Sequence, residues 1–491
     1  MTVEHVEIRA GAYADSVALL QVSRDVAATP GVVAAQVAMA TELNLEVLAG
    51  MGFTLPPASP NDMVVALRVE DDGVVPAALA AVDAALAAAR KGAAGGGDTT
   101  LAAPRTTGSA LRRAGGGLAL VSVPGASALV EAMDALDAGS DVMVFSDNVP
   151  VEQELALKRI ARDRGLLVMG PDCGTAVVGG VGLGFANTTA PGRVGIVAAS
   201  GTGCQQVLAL LDHAGVGVSA ALGVGGRDLS AAIGGISTMT ALDRLDADPT
   251  IEQVIVVSKP PAAEVAAAVE EYAAGLGTPV RFALLGAGQP DITTQVESLL
   301  ADLGVAVPEW PTWGSPAQAV GGSALRGLFV GGTLCDEAML IAAESLGGIR
   351  SNIPLSPELA LGPDLTAPGH LMIDFGDDGL TRGRAHPMID PTLRLDQLTK
   401  VAQDPDTAVV LLDVVLGHGA QDDPAADLAP AIAAARAVRD VPVVVACVGT
   451  SADPQGLQRQ AEALAAAGAE VHLSNAAATR RALALVPGGT L

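Results

Sequence analysis

Two short stretches of this sequence carry residue types that bind phosphate. In the first, Ser200-Gly201-Thr202-Gly203 lies between the apolar run 194–198 and the helically spaced residues 204–213. That order reads as a strand, a tight turn and a helix N-terminus. The first N–H groups of such a helix lack internal partners, and the helix dipole adds to their attraction for an anion. Gly201 and Gly203 let a phosphate approach, while Ser200 and Thr202 add hydroxyl donors. The second stretch, Gly331-Gly332-Thr333, has the same character. Lys259, just past the strand 254–257, is a cation suited to neutralising a departing phosphate. His418, in Leu416-Gly-His-Gly-Ala420, occupies the loop equivalent to that of Lys259 in the second repeat, where it reads first as a polar residue at a sheet edge.

These residues need scaffolds, and the scaffold is duplicated. Gly332, Thr333 and Cys335 repeat Gly201, Thr202 and Cys204 at one constant offset. Further on, Asp248-Pro249 before the strand 254–257 recurs as Asp404-Pro405 before 409–412, and Pro279-Val280 leading to Gly286 recurs as Pro442-Val443 leading to Gly449. Order is kept while spacing grows, as duplication with loop insertion produces. Cys204 and Cys335 fall in the first turns of their helices, where the dipole is expected to lower a thiol pKa, although shared small-residue packing explains the pair better. Cys173 and Cys447 read as structural.

Residues 116–190 form a further α/β unit, whose strands 117–123, 141–146 and 166–170 end in loops at one sheet edge. Ligands bind at that carboxyl edge, which makes Pro124, Ser146, Asn148, Asp172 and Cys173 candidate contacts for substrate or cofactor. No dinucleotide fingerprint follows a strand here, so NAD is weakly supported. Asp228 after Gly225-Gly226, and Asp377 with Asp378, Arg382, Arg384 and His386, are further candidates. For Asp228 a helix cap is the commoner role, and a charged surface loop accounts for the second group about as well.

Residues 3–90 alternate strand and helix, the pattern of a small α+β sandwich, with Thr41, Glu42 and Asn44 placed to cap a helix. From Lys91 to about Ser109 the composition is that of a linker or mobile loop, with Arg105, Arg112 and Arg113 a small basic island. Across the whole chain of 491 residues, 50% are hydrophobic but only 2% aromatic, so the cores must be built from closely packed Ala, Val and Leu. The formal charge of −26 argues against nucleic acid and anionic membrane as partners. Four cysteines without metal-ligand spacing, the absence of a bilayer-length apolar run and the N-terminus Met-Thr-Val-Glu-His lead us to expect a cytoplasmic protein with no metal.

The run from Val121-Ser-Val-Pro through Gly170-Pro-Asp-Cys-Gly, Pro191-Gly-Arg-Val-Gly-Ile-Val and Ala199-Ser-Gly-Thr-Gly to Gly223-Val-Gly-Gly-Arg-Asp228 resembles the α subunit of succinyl-CoA ligase. Residues 328–449, with Met372-Ile-Asp-Phe-Gly-Asp377 and Leu412-Asp-Val-Val-Leu-Gly417, are similar to the C-terminal domain of that enzyme's β subunit. The two fused behind a different N-terminal domain resemble the FdrA family of acyl-CoA-synthetase-like proteins. The expected fold is of the α/β class: the alternation gives a small N-terminal α+β (ferredoxin-like) domain over 1–91, with a meandering three-layer unit the alternative, and the composition a flexible linker over 92–114, while the resemblance implies a Rossmann-like CoA-binding-type domain over 115–190 and two related flavodoxin-like ligase domains over 191–320 and 321–491. It also implies that Ser200–Gly203 and Gly331–Thr333 are two halves of one phosphate clamp.

The ligases phosphorylate a histidine in a Gly-His-Ala-Gly loop. The corresponding loop here reads Gly286-Ala-Gly-Gln-Pro290, and Ser258-Lys259-Pro260-Pro261 stands where the ligase has an orienting glutamate. These departures favour an acyl phosphate supplied ready-made. FdrA-type proteins are associated with oxamate carbamoyltransferase, so the first expectation is a carbamoyl- or acyl-transfer subunit using carbamoyl phosphate, with partner subunits and with dimerisation plausible. The alternatives are an acyl-CoA synthetase that binds CoA and phosphorylates His418, and a non-catalytic scaffold or ligand sensor.

Overall fold

The computed structural model describes residues 2–12, 14, 16–93, 104–381 and 385–489. They form two compact units, Met1–Ala103 and Pro104–Leu491. The first unit runs β1 (Val3–Arg9), α1 (Ser16–Ala27), β2 (Val32–Met39), α2 (Glu42–Gly50), β3 (Met63–Val69) and α3 (Val75–Ala93). The strands form an antiparallel sheet of order β1-β3-β2, the ferredoxin-like arrangement expected for this α+β domain. Thr41 caps α2 by accepting from the Asn44 N–H, as its position in the sequence suggests.

The second unit begins with α4 (Thr107–Ala114), so the end of the stretch expected as a flexible linker is ordered. Thr106 and Ser109 form a reciprocal capping box, and the carboxylate of Asp134 accepts from the Gly108 N–H; local capping offsets the glycine-rich composition. Residues 94–103 of that stretch lie outside those described, as do Arg382 and Arg384. Then β4 (Leu118–Val121), α5 (Gly125–Asp137), β5 (Asp141–Val144), α6 (Val151–Asp163) and β6 (Val168–Met169) make a three-stranded parallel sheet with its helices.

The hairpin β7 (Thr175–Val178) and β8 (Val181–Gly184), expected within that Rossmann-like unit, pairs instead with the next sheet, where β7 lies antiparallel to β10. That sheet is built from β9 (Val194–Ala199), α7 (Gly201–His213), β10 (Val218–Gly223), α8 (Ile236–Asp246), β11 (Gln253–Ser258), α9 (Ala263–Ala273), β12 (Val280–Leu284) and α10 (Ile292–Asp302), in the order β12-β11-β9-β10-β7-β8. The last sheet uses β13 (Thr312–Trp313), β14 (Ala324–Phe329), α11 (Gly332–Leu346), β15 (Leu371–Asp374), α12 (Asp378–Thr381), α13 (Thr392–Gln403), β16 (Thr407–Val415), α14 (Pro424–Val438), β17 (Val443–Val448), α15 (Leu457–Ala466), β18 (Glu470–His472) and α16 (Asn475–Leu483). Its order is β13-β18-β17-β16-β14-β15. With β9, β10, β11 and β12 matched to β14, β15, β16 and β17, the two sheets share one flavodoxin-like order, the structural form of the sequence repeat. Among the described residues no helix is long and apolar enough to cross a membrane.

The unit of β4 to β6 is tied to the first repeat through a buried ion. Lys158 on α6 donates to Glu154 Oε1 at 2.8 Å, Asp228 Oδ1 at 2.7 Å and the Val224 carbonyl at 2.9 Å. All three ammonium protons are thus used, and none of the three side chains is exposed at all. Removing one partner from such a group strands buried charge. We predict that Lys158→Met lowers unfolding stability by about 3–5 kcal/mol, read as a lower denaturation midpoint in urea at unchanged slope.

Candidate functional site

In both repeats strand order reverses between the first and third strands, and loops leaving that point meet ligands. The loops after β9 and β11 carry Ser200–Gly203 and Lys259; those after β14 and β15 carry Gly331–Thr333 and Asp374–Asp378. The helix N-termini of α7 and α11 do face each other, but they touch rather than frame a gap. Ser200 Oγ and Thr333 Oγ1 share a hydrogen bond of 2.6 Å, and both residues are buried. Ser200 also caps α7 by accepting from the Gly203 N–H at 2.9 Å. The contact is closed by missing side chains: a Cβ on Gly331 would lie 3.0 Å from Thr202 Cβ, and one on Gly203 would lie 3.1 Å from Thr333 Cγ2. Asp413 fills part of the α11 end by accepting from the Val330 and Gly331 N–H groups, both at 2.8 Å, while Arg394 donates to it. Of the clamp residues named from the sequence, Gly201, Thr202 and Gly332 retain partial exposure, whereas Ser200, Gly203, Gly331 and Thr333 form its buried hinge.

Lys259 stands over the open part. A Cβ on Gly332 would meet Asp374 Oδ2 at 2.7 Å and Lys259 Nζ at 3.1 Å, so ammonium and carboxylate both overhang this glycine. Among the described residues no hydrogen bond or ion pair within 4.0 Å engages the Lys259 ammonium. Burial weakens this cation, but the nearby Asp336, Asp374, Asp172 and Asp377 outweigh burial and raise its pKa, so it is charged at neutral pH. The carboxyls respond oppositely. Burial pushes Asp374 up to about 7 against the pull of Lys259 and of the Gly376 N–H, and pushes Asp336 up to about 6. Asp172 is solvent-accessible, yet desolvation by the protein around it raises it to about 6, again opposed by Lys259. The site is therefore acidic and partly protonated near neutrality, and among the described residues its Lys259 ammonium has no ion-pair partner.

Its far wall comes from the sheet of β4 to β6. Gly125 lets the Pro124 loop pack on the Asp147-Asn148 loop, since a Cβ there would lie 2.3 Å from the Asp147 carbonyl. Asn148 has φ 52 and Asp172 φ 55, both in the left-handed region, and the Asp172 N–H donates to the Ser146 carbonyl at 3.0 Å. Asp147 lies close enough to Asp378 and His386 to influence both. Thus Pro124, Asn148, Asp172 and Asp377 stay on the accessible rim.

Other candidates do not. Ser146 is buried and its hydroxyl approaches the Val121 carbonyl. Asp228 is fully buried, accepting from Lys158, Ser237, and both N–H and hydroxyl of Thr238; it caps α8 and has no face for a ligand. Cys173 packs in a core, where burial drives its thiol up to about 12. Burial likewise raises Cys204 and Cys335, so desolvation overrides the helix dipole that was expected to lower them. His418 is exposed, with Nε2 3.1 Å from Thr188 Oγ1 and its ring beside Gly182, a setting apart from the Lys259 group. Sequence reasoning missed Asp336 and Asp374. Both sit inside regular elements, and only their nearness to the second glycine pair in the duplicated order could have marked them.

Comparison with known proteins places the CoA-binding match on the first repeat and not on the unit over 115–190 that was expected to be of CoA-binding type. Residues 328–485 match a family model described as CoA-ligase, and residues 189–282 one described as CoA binding domain. Residues 1–103 match the AllF heavy metal-associated domain. All four cysteines lie beyond residue 103, and among the described residues no cluster of three His, Cys, Asp or Glu is arranged to hold a metal, so this segment does not fit a heavy-metal site. The uncharacterized protein YahF of Escherichia coli strain K12 is 37% identical over 502 aligned residues, covering 94% of this chain and 95% of that protein. The malate–CoA ligase subunit alpha of Methylorubrum extorquens is 28% identical over 166 residues, covering 30% of this chain and 55% of that subunit. An ADP-forming succinate–CoA ligase subunit alpha 2 of Archaeoglobus fulgidus is 32% identical over 120 residues, 24% of this chain and 42% of that subunit. The chain thus spans about half the length of these ligase subunits.

The raised carboxyls set a pH dependence. A carboxyl whose folded pKa exceeds its unfolded value near 3.8 adds stability at low pH and loses it as pH rises through the folded value, here about 6 for Asp336 and about 7 for Asp374. We predict that stability falls from pH 5 to pH 8 on account of these groups, and that Asp374→Asn flattens the fall and raises the melting temperature at pH 8. A variant that melts below the parent at pH 8 contradicts this account.

Proposed function

The chain belongs to the family of the Escherichia coli protein YahF, with an FdrA/AllF-like enzyme architecture that joins CoA-binding and CoA-ligase segments related to succinyl-CoA ligase, and on that premise we propose that it transfers an acyl group from an acyl phosphate to a nucleophile. The observation that carries this reading is the Lys259 ammonium, without an ion-pair partner among the described residues, over Gly332 and beside two helix N-termini. The phosphoryl group of the donor takes the amides of Gly201, Thr202 and Gly332, the Thr202 hydroxyl and the charge of Lys259. The nucleophile attacks the acyl carbon and its proton passes to the Asp374 carboxylate. The carbonyl electron pair moves onto oxygen and returns as the bond from the acyl carbon to the phosphate oxygen breaks, releasing phosphate. With CoA thiol as acceptor this is the second half of acyl-CoA ligase chemistry. CoA is held in this reading by the accessible rim of Pro124, Asn148 and Asp172.

A finer form of the reaction uses carbamoyl phosphate with an amide such as oxamate as acceptor. It is favoured by the loop Gly286–Pro290, which carries no histidine to relay phosphate from a nucleotide.

The test incubates the purified chain with acetyl phosphate and CoA, and separately with carbamoyl phosphate and oxamate, following phosphate release. Lys259→Met is expected to slow release and weaken phosphate binding by about tenfold or more, the loss of a charge-assisted hydrogen bond. Acid-labile phosphate on the protein after ATP and Mg²⁺, unaffected by Lys259→Met, would overturn a ready-made donor in favour of the synthetase route through His418.

A further inference from the structure

One group in the cleft has no part in this scheme. His386 follows β15 and α12, half-buried, with its ring 5.5 Å from that of Phe185 on the loop after the β7–β8 hairpin. The backbone N–H of Met388 donates to Nδ1 at 3.2 Å. A nitrogen that accepts a hydrogen bond carries no proton, so in the neutral ring the proton is on Nε2. That edge faces the site: a Cβ on Gly376 would lie 2.8 Å from His386 Nε2 and 3.2 Å from Asp374 Oδ1. Asp374 therefore stands between the two groups that serve a substrate, with its Oδ2 on the Lys259 side and its Oδ1 on the His386 side.

We infer that His386 is a catalytic hydrogen-bond donor, holding Nε2–H toward the acyl oxygen of a donor whose phosphate lies at Lys259. This rests on the acyl-transfer reading above. As the nucleophile adds, the carbonyl pair becomes an oxyanion that His386 stabilises without giving up its proton; when the pair returns, phosphate leaves. Burial beside Phe185 keeps the imidazole uncharged, lowering its pKa to about 4 even though Asp147 pulls the other way. Asp374, whose Oδ1 lies across Gly376 from Nε2, is an acid as well; an imidazolium there would pair with it instead of with substrate. A neutral donor stays directed at the acyl oxygen across the physiological range.

Two measurements on the full chain test this. In steady-state phosphate release, His386→Leu is expected to lower kcat about 100-fold or more, as loss of one oxyanion donor does, with phosphate affinity within about twofold of the parent. His386→Gln, whose side-chain NH₂ reaches the position of Nε2, recovers part of the rate. Undiminished kcat in His386→Leu overturns the inference. Should that variant fail to fold, the parent decides: in the ¹⁵N-histidine spectrum, with the His386 signal assigned through His386→Gln, the ring is expected as the Nε2–H tautomer down to about pH 5. Acetylphosphonate, an unreactive acyl phosphate mimic, should shift that signal while inorganic phosphate should not. An Nδ1–H tautomer, or equal shifts from both ligands, overturns it. Phosphate binding that is insensitive to Lys259→Met instead condemns the anion site itself, so the two failures are told apart.

Discussion

The site depends on how closely two helix N-termini can approach. Two positive dipole ends repel each other, and here they meet with a hydroxyl of each helix joined at 2.6 Å between Ser200 and Thr333. Only glycines at 203 and 331 leave room for that contact, and Asp413 supplies negative charge at the α11 end. The two helices share one buried core, with Val207 and Leu208 in the same cluster as Leu334 and Ala338, and the hydroxyl contact lies at the end of that packing, beside Gly332 under Lys259 and Asp374. Gly201, Thr202 and Gly332 then keep a partly exposed flank beside the buried contact.

Electrostatics follow from that geometry. A chain of formal charge −26 repels an incoming anion, and the cleft itself gathers Asp172, Asp336, Asp374 and Asp377. Two effects keep it usable. Burial of Asp374 and Asp336 and desolvation of Asp172 on the rim hold them partly protonated near neutrality, and the same carboxyls hold Lys259 charged with no ion pair among the described residues. In the proposed reading a phosphate meets a ready cation and acids whose protonation it would raise, so anion binding and proton uptake would be linked.

Much of this was legible in the sequence, and the reason is repetition. A strand, a glycine turn and a helix give weak signals singly, but the recurrence of Gly201, Thr202 and Cys204 at Gly332, Thr333 and Cys335 located both helix ends and foretold two sheets of one order. Long-range packing was not legible. The β7–β8 hairpin has the local pattern of either neighbouring sheet, and its place is set by pairing with β10. For Asp228 the sequence already favoured a helix cap, which the Ser237 and Thr238 N–H groups show, but its buried pairing with Lys158 was not legible. The thiols of Cys204 and Cys335 show the same limit, because position on a helix is local while desolvation belongs to the whole core.

The repeats have also diverged in a directed way. At the offset that relates the glycine turns, Gln205 and Gln206 of α7 correspond to Asp336 and Glu337 of α11. Gln206 and Glu337 still hold the starts of neighbouring helices in the same manner. Gln206 accepts from the Asn475 N–H at the start of α16, and Glu337 from the Ile292 N–H at the start of α10. An amide suffices for that, so the acid in the second repeat is not required by the cap, and burial raises it to about 7. Gln205 donates to the Leu416 carbonyl, whereas Asp336 faces Lys259. With the lysine on the first repeat and Asp336 and Asp374 on the second, neither half holds both charges. Fusion into one chain makes that division workable, because a cation and its acids that never separate can each lose the partner an independent domain would need.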